Sequence, residues 1–256
     1  MTVAVQNLYR YPIKGLSAEP LESVRLEPGL GLPLDRQYAL ARGSTRFDPE
    51  NPQWLPKRSF LMLMLNGRLA ALETRFDGDN GALTIISEGK QVARGNIRTP
   101  VGRAVIEDFF STYLGDEAGG RPRLVEASER YMFSDHKTRV ISIINLASVR
   151  ELERVTRSAV DPLRFRANVY VDGLEPWAEF GLIDRTIRLG EGLLRVEARI
   201  ERCAATNVEP GTGQRNMNIP QDLRRAFSHI HMGIYAAITE GGTVQRGDRL
   251  EIVEPV

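Results

Sequence analysis

Leu193-Leu194-Arg195-Val196-Glu197-Ala198-Arg199-Ile200 runs directly into Glu201-Arg202-Cys203-Ala204-Ala205-Thr206-Asn207-Val208-Glu209-Pro210-Gly211-Thr212-Gly213. The first eight residues read as a short strand, and the Thr, Asn, Pro and Gly that follow read as a loop. A thiol at the end of a strand stands on a scaffold that holds it rigid while leaving one side open. Arg202 adjoins it, and a neighbouring cation favours thiolate, the form that ligates soft metals and attacks electrophiles. A buried, inert cysteine fits the same composition.

Short strands recur on both sides of this junction. Upstream, strand patterns fit 3–8, 23–27, 37–41, 69–76, 82–87, 91–97, 123–126, 140–144, 163–171, 177–180 and 186–189. Downstream they fit 233–239 and 244–253, around Gly241-Gly242 and Gly247-Asp248 turns. Helical periodicity appears at Gly102 to Leu114, at Leu146 to Arg157 with Asn145 able to cap its start, and at Gln221 to Phe227. Residues 42–58 form a long loop excursion. Many short strands with few helices predict a mostly β, α+β fold with barrel-like architecture, and not a doubly wound sheet.

The chain has 256 residues, with 34 Lys+Arg against 33 Asp+Glu. The resulting net charge of +1 supplies no general field for polyanions, so neither nucleic acid nor an anionic membrane is the expected partner. Only four of the cations are lysines (Lys14, Lys57, Lys90, Lys137); the arginine remainder suits bidentate grip of phosphate or carboxylate. One cysteine makes no internal disulfide and no multi-cysteine cluster, which points to a reducing compartment. The longest apolar run, Phe60 to Leu65, is far short of the ~18 residues a membrane span needs. Gln6 and Asn7 interrupt the place of a signal-peptide core. A cytoplasmic protein is expected.

No phosphate-cradling G-x-x-x-x-G-K-[ST], no G-x-S-x-G and no H-E-x-x-H is present. His229 and His231 share a face if extended and with a carboxylate could hold a metal, although loop polarity or pairing with a helix C-terminus accounts for them as well. His136 lies in a polar loop, Ser134-Asp135-His136-Lys137-Thr138-Arg139, that could contact an anion.

Arg202-Cys203-x-x-Thr206-x-Val208-x-Pro210-x-Thr212-Gly213 resembles the signature of the MOSC domain, named for the C-terminal domain of molybdenum-cofactor sulfurases. Four further stretches agree in order: Tyr11-Pro12-x-Lys14, Asp35-Arg36, Arg164-Phe165-Arg166-Ala167-Asn168, and Gly233 to Asp248. The resemblance covers nearly the whole chain. It implies a β-barrel-like N-terminal domain over 1–115 and a MOSC domain over 116–256. It also implies a molybdenum cofactor (Mo-molybdopterin) whose metal takes the Cys203 thiolate. The matching cofactor-contact positions are Lys14, Gly15, Arg36, Thr138, Arg139, Arg166, Asn168 and Tyr235. Gly15 stands where many relatives have Ser, Ala167 interrupts the usual Arg-Pro-Asn, and Glu201 places a carboxylate two residues before the cysteine, where it repels an anion unless it faces away or pairs with an arginine.

The activity the resemblance implies is reduction of N-hydroxylated compounds such as amidoximes and hydroxylamines, as in the mitochondrial amidoxime-reducing component and its bacterial relatives. A separate electron-transfer protein, a ferredoxin or a flavin- or haem-linked reductase, is expected, because no second cysteine exists to hold a cluster. His136 is a candidate proton donor. Sulfur transfer through a Cys203 persulfide and a cofactor-carrier role carry the same thiolate requirement.

Overall fold

A computed structural model describes residues 2–48, 50–127 and 131–253. In chain order the elements are β1 (Ala4–Arg10), β2 (Glu19–Leu21), β3 (Ser23–Leu26), β4 (Tyr38–Ala41), β5 (Glu73–Phe76), β6 (Ala82–Ser87) and β7 (Lys90–Asn96). Then come α1 (Pro100–Leu114), β8 (Arg123–Glu126), β9 (Ile141–Asn145), α2 (Leu146–Thr156), β10 (Val169–Asp172), β11 (Thr186–Leu189) and β12 (Gly192–Glu201). The last are α3 (Ile219–Phe227), β13 (His231–Glu240), β14 (Gly242–Gln245) and β15 (Leu250–Val253). The fold is α+β and mostly strand.

One eight-stranded sheet runs β15-β11-β12-β13-β9-β10-β1-β2. Its pairs are antiparallel except β9 with β10, which are parallel and joined across α2. The sheet curls until its far members meet. The Leu250 amide donates to Val3 O at 3.0 Å and the Val5 amide to Asp248 O at 2.8 Å, with a bridge between Ala4 and Arg249. Closing a sheet in this way removes exposed edges. Inward-facing Val5, Leu8, Ile143, Val171, Val196 and Ile234 fill the interior. Outside it, α2 and α3 pack against Ile144 and Met232 through Leu152 and Leu223.

The other lobe is built from the β4–β8 pair and the β5-β6-β7 meander, closed by α1 through Ile106 and Phe110. Thr99 caps α1 by accepting from the Gly102 amide, and Pro100 opens it, two residues earlier than the apolar period suggests. As expected, Asn145 caps α2, accepting from the Ala147 amide at 3.0 Å.

Three expected strands are in part something else. Residues Gly67–Ala71, Pro162–Phe165 and Ala178–Leu182 are 3-10 turns, so only Glu73–Phe76 and Val169–Asp172 of the first two runs are extended, and the 177–180 run is not. In runs this short, apolar spacing does not separate a period of two from a period of three.

Candidate functional site

The two lobes meet over a cavity of about 400 Å³. Its walls come from the loop after β1 (Lys14, Gly15), the turn before β4 (Arg36), the 57–64 segment, the loop before β9 (Asp135, His136), the 164–168 turn, the end of β12, and Tyr235 in the middle of β13.

Cys203 follows β12 and opens a 3-10 turn, Ala204–Asn207. Its carbonyl accepts from both the amide (3.0 Å) and the hydroxyl (2.9 Å) of Thr206, which fixes the backbone that carries the thiol. Asn207 then accepts from the Ile219 amide at 2.9 Å, tying this turn to α3. Arg202 points into the protein: Nε donates to Met232 O at 2.8 Å and Nη1 to Phe165 O at 3.0 Å. Its guanidinium pins β12 to its neighbours; burial lowers its pKa, with Tyr235, Tyr170 and Cys203 opposing.

Lys57, which the sequence reading did not single out, brings an ammonium to Cys203 from the long 42–58 excursion. Burial works against its charge, but the Asp135 carboxylate and the Cys203 sulfur outweigh that and hold its pKa above the usual lysine range. Asp135 bridges two lysines, accepting from Lys14 Nζ at 2.6 Å and lying 3.5 Å from Lys57 Nζ. Burial raises the Asp135 pKa, yet the two lysines carry it below the ordinary carboxylate value. Lys14 is buried, and desolvation lowers its pKa despite Asp135.

Arg36 and Arg166 form a second pair. Both have left-handed backbones (φ 51° and 52°), uncommon for non-glycine residues. Arg36 donates from Nη1 to Asp35 and from Nη2 to Arg166 O at 2.9 Å. Arg166 donates from Nη1 to Leu16 O at 2.7 Å, while its buried Nη2 has no hydrogen-bond partner. Burial, with the neighbouring Arg36 charge also unfavourable, pushes the Arg166 pKa down to about 10.

The expected contact residues divide. Lys14, Gly15, Arg36, Arg166, Asn168, Tyr235 and Cys203 line the cavity; Thr138 and Arg139 do not. The Asn168 amide is already engaged: its Oδ1 accepts from the Ser142 amide and hydroxyl, and its Nδ2 donates to Tyr9 O at 3.2 Å. It therefore fastens β9, β10 and β1 beneath the cavity. The Tyr235 ring stands 4.8 Å from that of His136, whose Nδ1 lies 2.9 Å from the Thr138 hydroxyl. Glu201 is exposed on the cavity rim, opposite His231 in the β12–β13 register. His229 and His231 pack in an aromatic group with Trp177, Phe180 and Phe227. Among the described residues no three His, Cys, Asp or Glu side chains gather as a metal site, and no helix is long and apolar enough to cross a membrane.

Arg215 is a second residue that the sequence did not mark. It donates to Ala204 O (3.0 Å) behind the thiol and to Leu63 O and Met64 O (2.9 and 2.8 Å) of the other lobe. One side chain thereby joins the cysteine turn to the opposite cavity wall.

Residues 128–251 match the MOSC domain family. The molybdenum cofactor sulfurase of Drosophila grimshawi is 26% identical over 250 residues, covering 88% of this chain and 31% of that protein. The chain thus spans about a third of that curated relative's length. Among solved structures, the YuaD protein from Bacillus subtilis aligns at a TM-score of 0.46 and 16% identity, over 98% of this chain and 96% of that one. YiiM from Geobacillus stearothermophilus aligns at 0.36 and 16%, over 44% and 54%.

Proposed function

Because residues 128–251 carry a MOSC domain, we propose that this protein binds a molybdenum cofactor in the inter-lobe cavity and acts as the terminal reductase of N-hydroxylated compounds such as amidoximes and hydroxylamines. One observation carries the reading: a single thiol, Cys203, shares a cavity with Lys14, Arg36, Lys57 and Arg166, and the buried Nη2 of Arg166 is unpartnered. An orphaned guanidinium N–H calls for an acceptor, and an anionic phosphate supplies one.

The residues fit this cofactor. Lys14, Arg36 and Arg166 would hold its anionic end, and Cys203, with the Lys57 ammonium beside it, would give its metal a soft protein ligand. When bound, the cofactor supplies a two-electron redox centre able to accept the oxygen of an N–OH group. Converting N–OH to N–H and water consumes protons, and His136 and Tyr235 hold exchangeable protons at the cavity wall. Electrons would come from a separate protein, a ferredoxin or a flavin- or haem-linked reductase, since the chain has one cysteine. Within the 1–115 segment, β1 and β2 join the eight-stranded sheet and β3 pairs with β14, so we read the lobe of β4 to β8 and α1 as the unit that completes the cavity, and the protein as cytoplasmic.

Sulfur transfer is the second reading, supported by the Lys57 ammonium beside Cys203, which would stabilise a persulfide anion there. The test is purification from a host that makes the cofactor, with molybdenum per chain measured for wild type and Cys203→Ala. Stoichiometric metal lost in the variant supports the site. Hydroxylamine reduction with an artificial electron donor then supports the reductase, whereas cyanide-releasable sulfur on Cys203 without turnover supports sulfur transfer. A metal-free wild type from that host rejects both.

A further inference from the structure

Arg166 presents an electrostatic problem. It lies beside a second cation, Arg36, and the nearby Asp35 carboxylate accepts from Arg36 Nη1 and from the Tyr11 amide. Its own hydrogen bonds are one carbonyl, Leu16 O, and nothing at Nη2. Two like charges at this depth, one of them without a carboxylate, need another source of stabilisation.

The Tyr11 ring is that source. The Arg166 guanidinium carbon lies 4.3 Å from its centroid and that of Arg36 4.9 Å, both inside the ~6 Å reach of a cation–π contact. Tyr11 is 1% exposed, so water does not weaken either contact. Its backbone ties the same groups together: the Tyr11 amide donates to Asp35 Oδ1 (2.7 Å), and its carbonyl accepts from the Arg36 amide (2.7 Å). Its hydroxyl donates to the carbonyl of Ala167, the residue after Arg166, at 3.2 Å. One side chain thus touches both turns on which the two left-handed arginines stand.

We propose that Tyr11 is a positioning residue for anion capture, its ring holding Arg36 and Arg166 side by side without cancelling their charge. A carboxylate in its place would pair with Arg166 and use up the donor an anion needs. A ring face attracts the guanidinium through its quadrupole and leaves the unpartnered Nη2–H available. The phenol does not become such a carboxylate-like counter-ion: burial raises its pKa to about 12 even with two arginines drawing it down, so it stays neutral at pH 7. Tyr11 touches neither the cavity's thiol nor a substrate. Its effect reaches the ligand through the two arginines.

This inference rests on the anion-binding reading of the cavity, and the experiment separates the two. The metal-free protein is titrated calorimetrically with inorganic pyrophosphate, as wild type, Tyr11→Phe, Tyr11→Leu and a variant carrying pentafluorophenylalanine at position 11. Thermal melting is recorded for each. Tyr11→Phe keeps the ring and loses the bond to Ala167, so it melts lower yet binds within about twofold of wild type. Tyr11→Leu and the fluorinated ring, which keeps the shape but removes the attractive face, each weaken binding by about tenfold, the scale of a desolvated cation–π contact. The fluorinated variant keeps the test decisive if Tyr11→Leu fails to fold. Fluorinated protein that binds as tightly as Tyr11→Phe overturns the proposal and leaves the cavity reading standing. Wild type that binds no pyrophosphate, with Arg166→Met indistinguishable from it, overturns the cavity reading and the proposal together.

Discussion

The amide and hydroxyl of Thr206 both donate to the carbonyl oxygen of Cys203, at 3.0 and 2.9 Å. A cysteine at the end of a strand is free to swing unless something closes the turn after it, and Thr206, buried at 3% exposure, does so from three residues away. Thr206→Val keeps the volume and the amide bond but deletes the hydroxyl donor. It is expected to cost about 1 kcal/mol in denaturant unfolding and to lower molybdenum per chain, while Thr206→Ser restores both. Equal metal content in Thr206→Val and wild type would show that the clamp does not govern the thiol.

Arg215 contacts residues some 150 positions away, so its loss should be read in both lobes. Arg215→Met removes donors from Ala204, Leu63 and Met64. A loss of about 1–2 kcal/mol is expected, since the side chain is exposed along part of its length. Amide hydrogen exchange should rise together in 203–208 and 62–66. Faster exchange in the cysteine turn alone would contradict the cross-lobe link.

Why the sequence disclosed some of this and not the rest is a matter of range. Strand alternation and helix caps are local signals, so β12, the Asn145 cap and the cysteine turn were legible within a window of about ten residues. The 3-10 turns at 162–165 and 178–182 read as strand because Leu163 and Phe165, and Ala178, Phe180 and Leu182, alternate with other residues as a strand face would over stretches too short to show a period of three. Lys57 and Arg215 carry no local mark at all. One sits in a loop that reads as polar excursion and the other in a polar stretch after Gly213, and each acquires its role from a partner far along the chain. Asn168 shows the converse: its motif pointed to a ligand contact, and only the fold shows how fully Ser142 and Tyr9 use its amide.

Gly15 lies on the cavity wall at φ 83°, and a Cβ there would stand 3.2 Å from Leu61 O. Both the left-handed backbone and the close carbonyl oppose a side chain. Gly15→Ala should cost about 1–2 kcal/mol and lower the melting temperature by about 3–6 °C for a chain of this size. Gly15→Ser should cost a similar amount, unless its hydroxyl finds an acceptor, in which case scanning calorimetry would separate the two variants by more than a degree.

Glu179, 1% exposed, supplies a pH test of the scaffold that holds β13 beside the site. Its carboxylate accepts from Asn145 Nδ2 at 3.0 Å and from the Ser148 hydroxyl at 2.8 Å, but burial outweighs these bonds and raises its pKa above the ordinary glutamate value. The native state therefore binds this proton more readily than the unfolded chain does. Relative to neutral pH, the stability contributed by this group grows as pH falls through the raised native value toward the ordinary one, and it is lost again as pH rises. Glu179→Gln keeps an acceptor and removes the titration. In paired urea unfolding at several pH values, wild type minus Glu179→Gln should shift in favour of wild type on going from pH 7 toward pH 5. A difference that stays flat, or moves the other way, would mean that the bonds from Asn145 and Ser148 overcome burial and that the carboxylate is ionised in the native protein throughout that range.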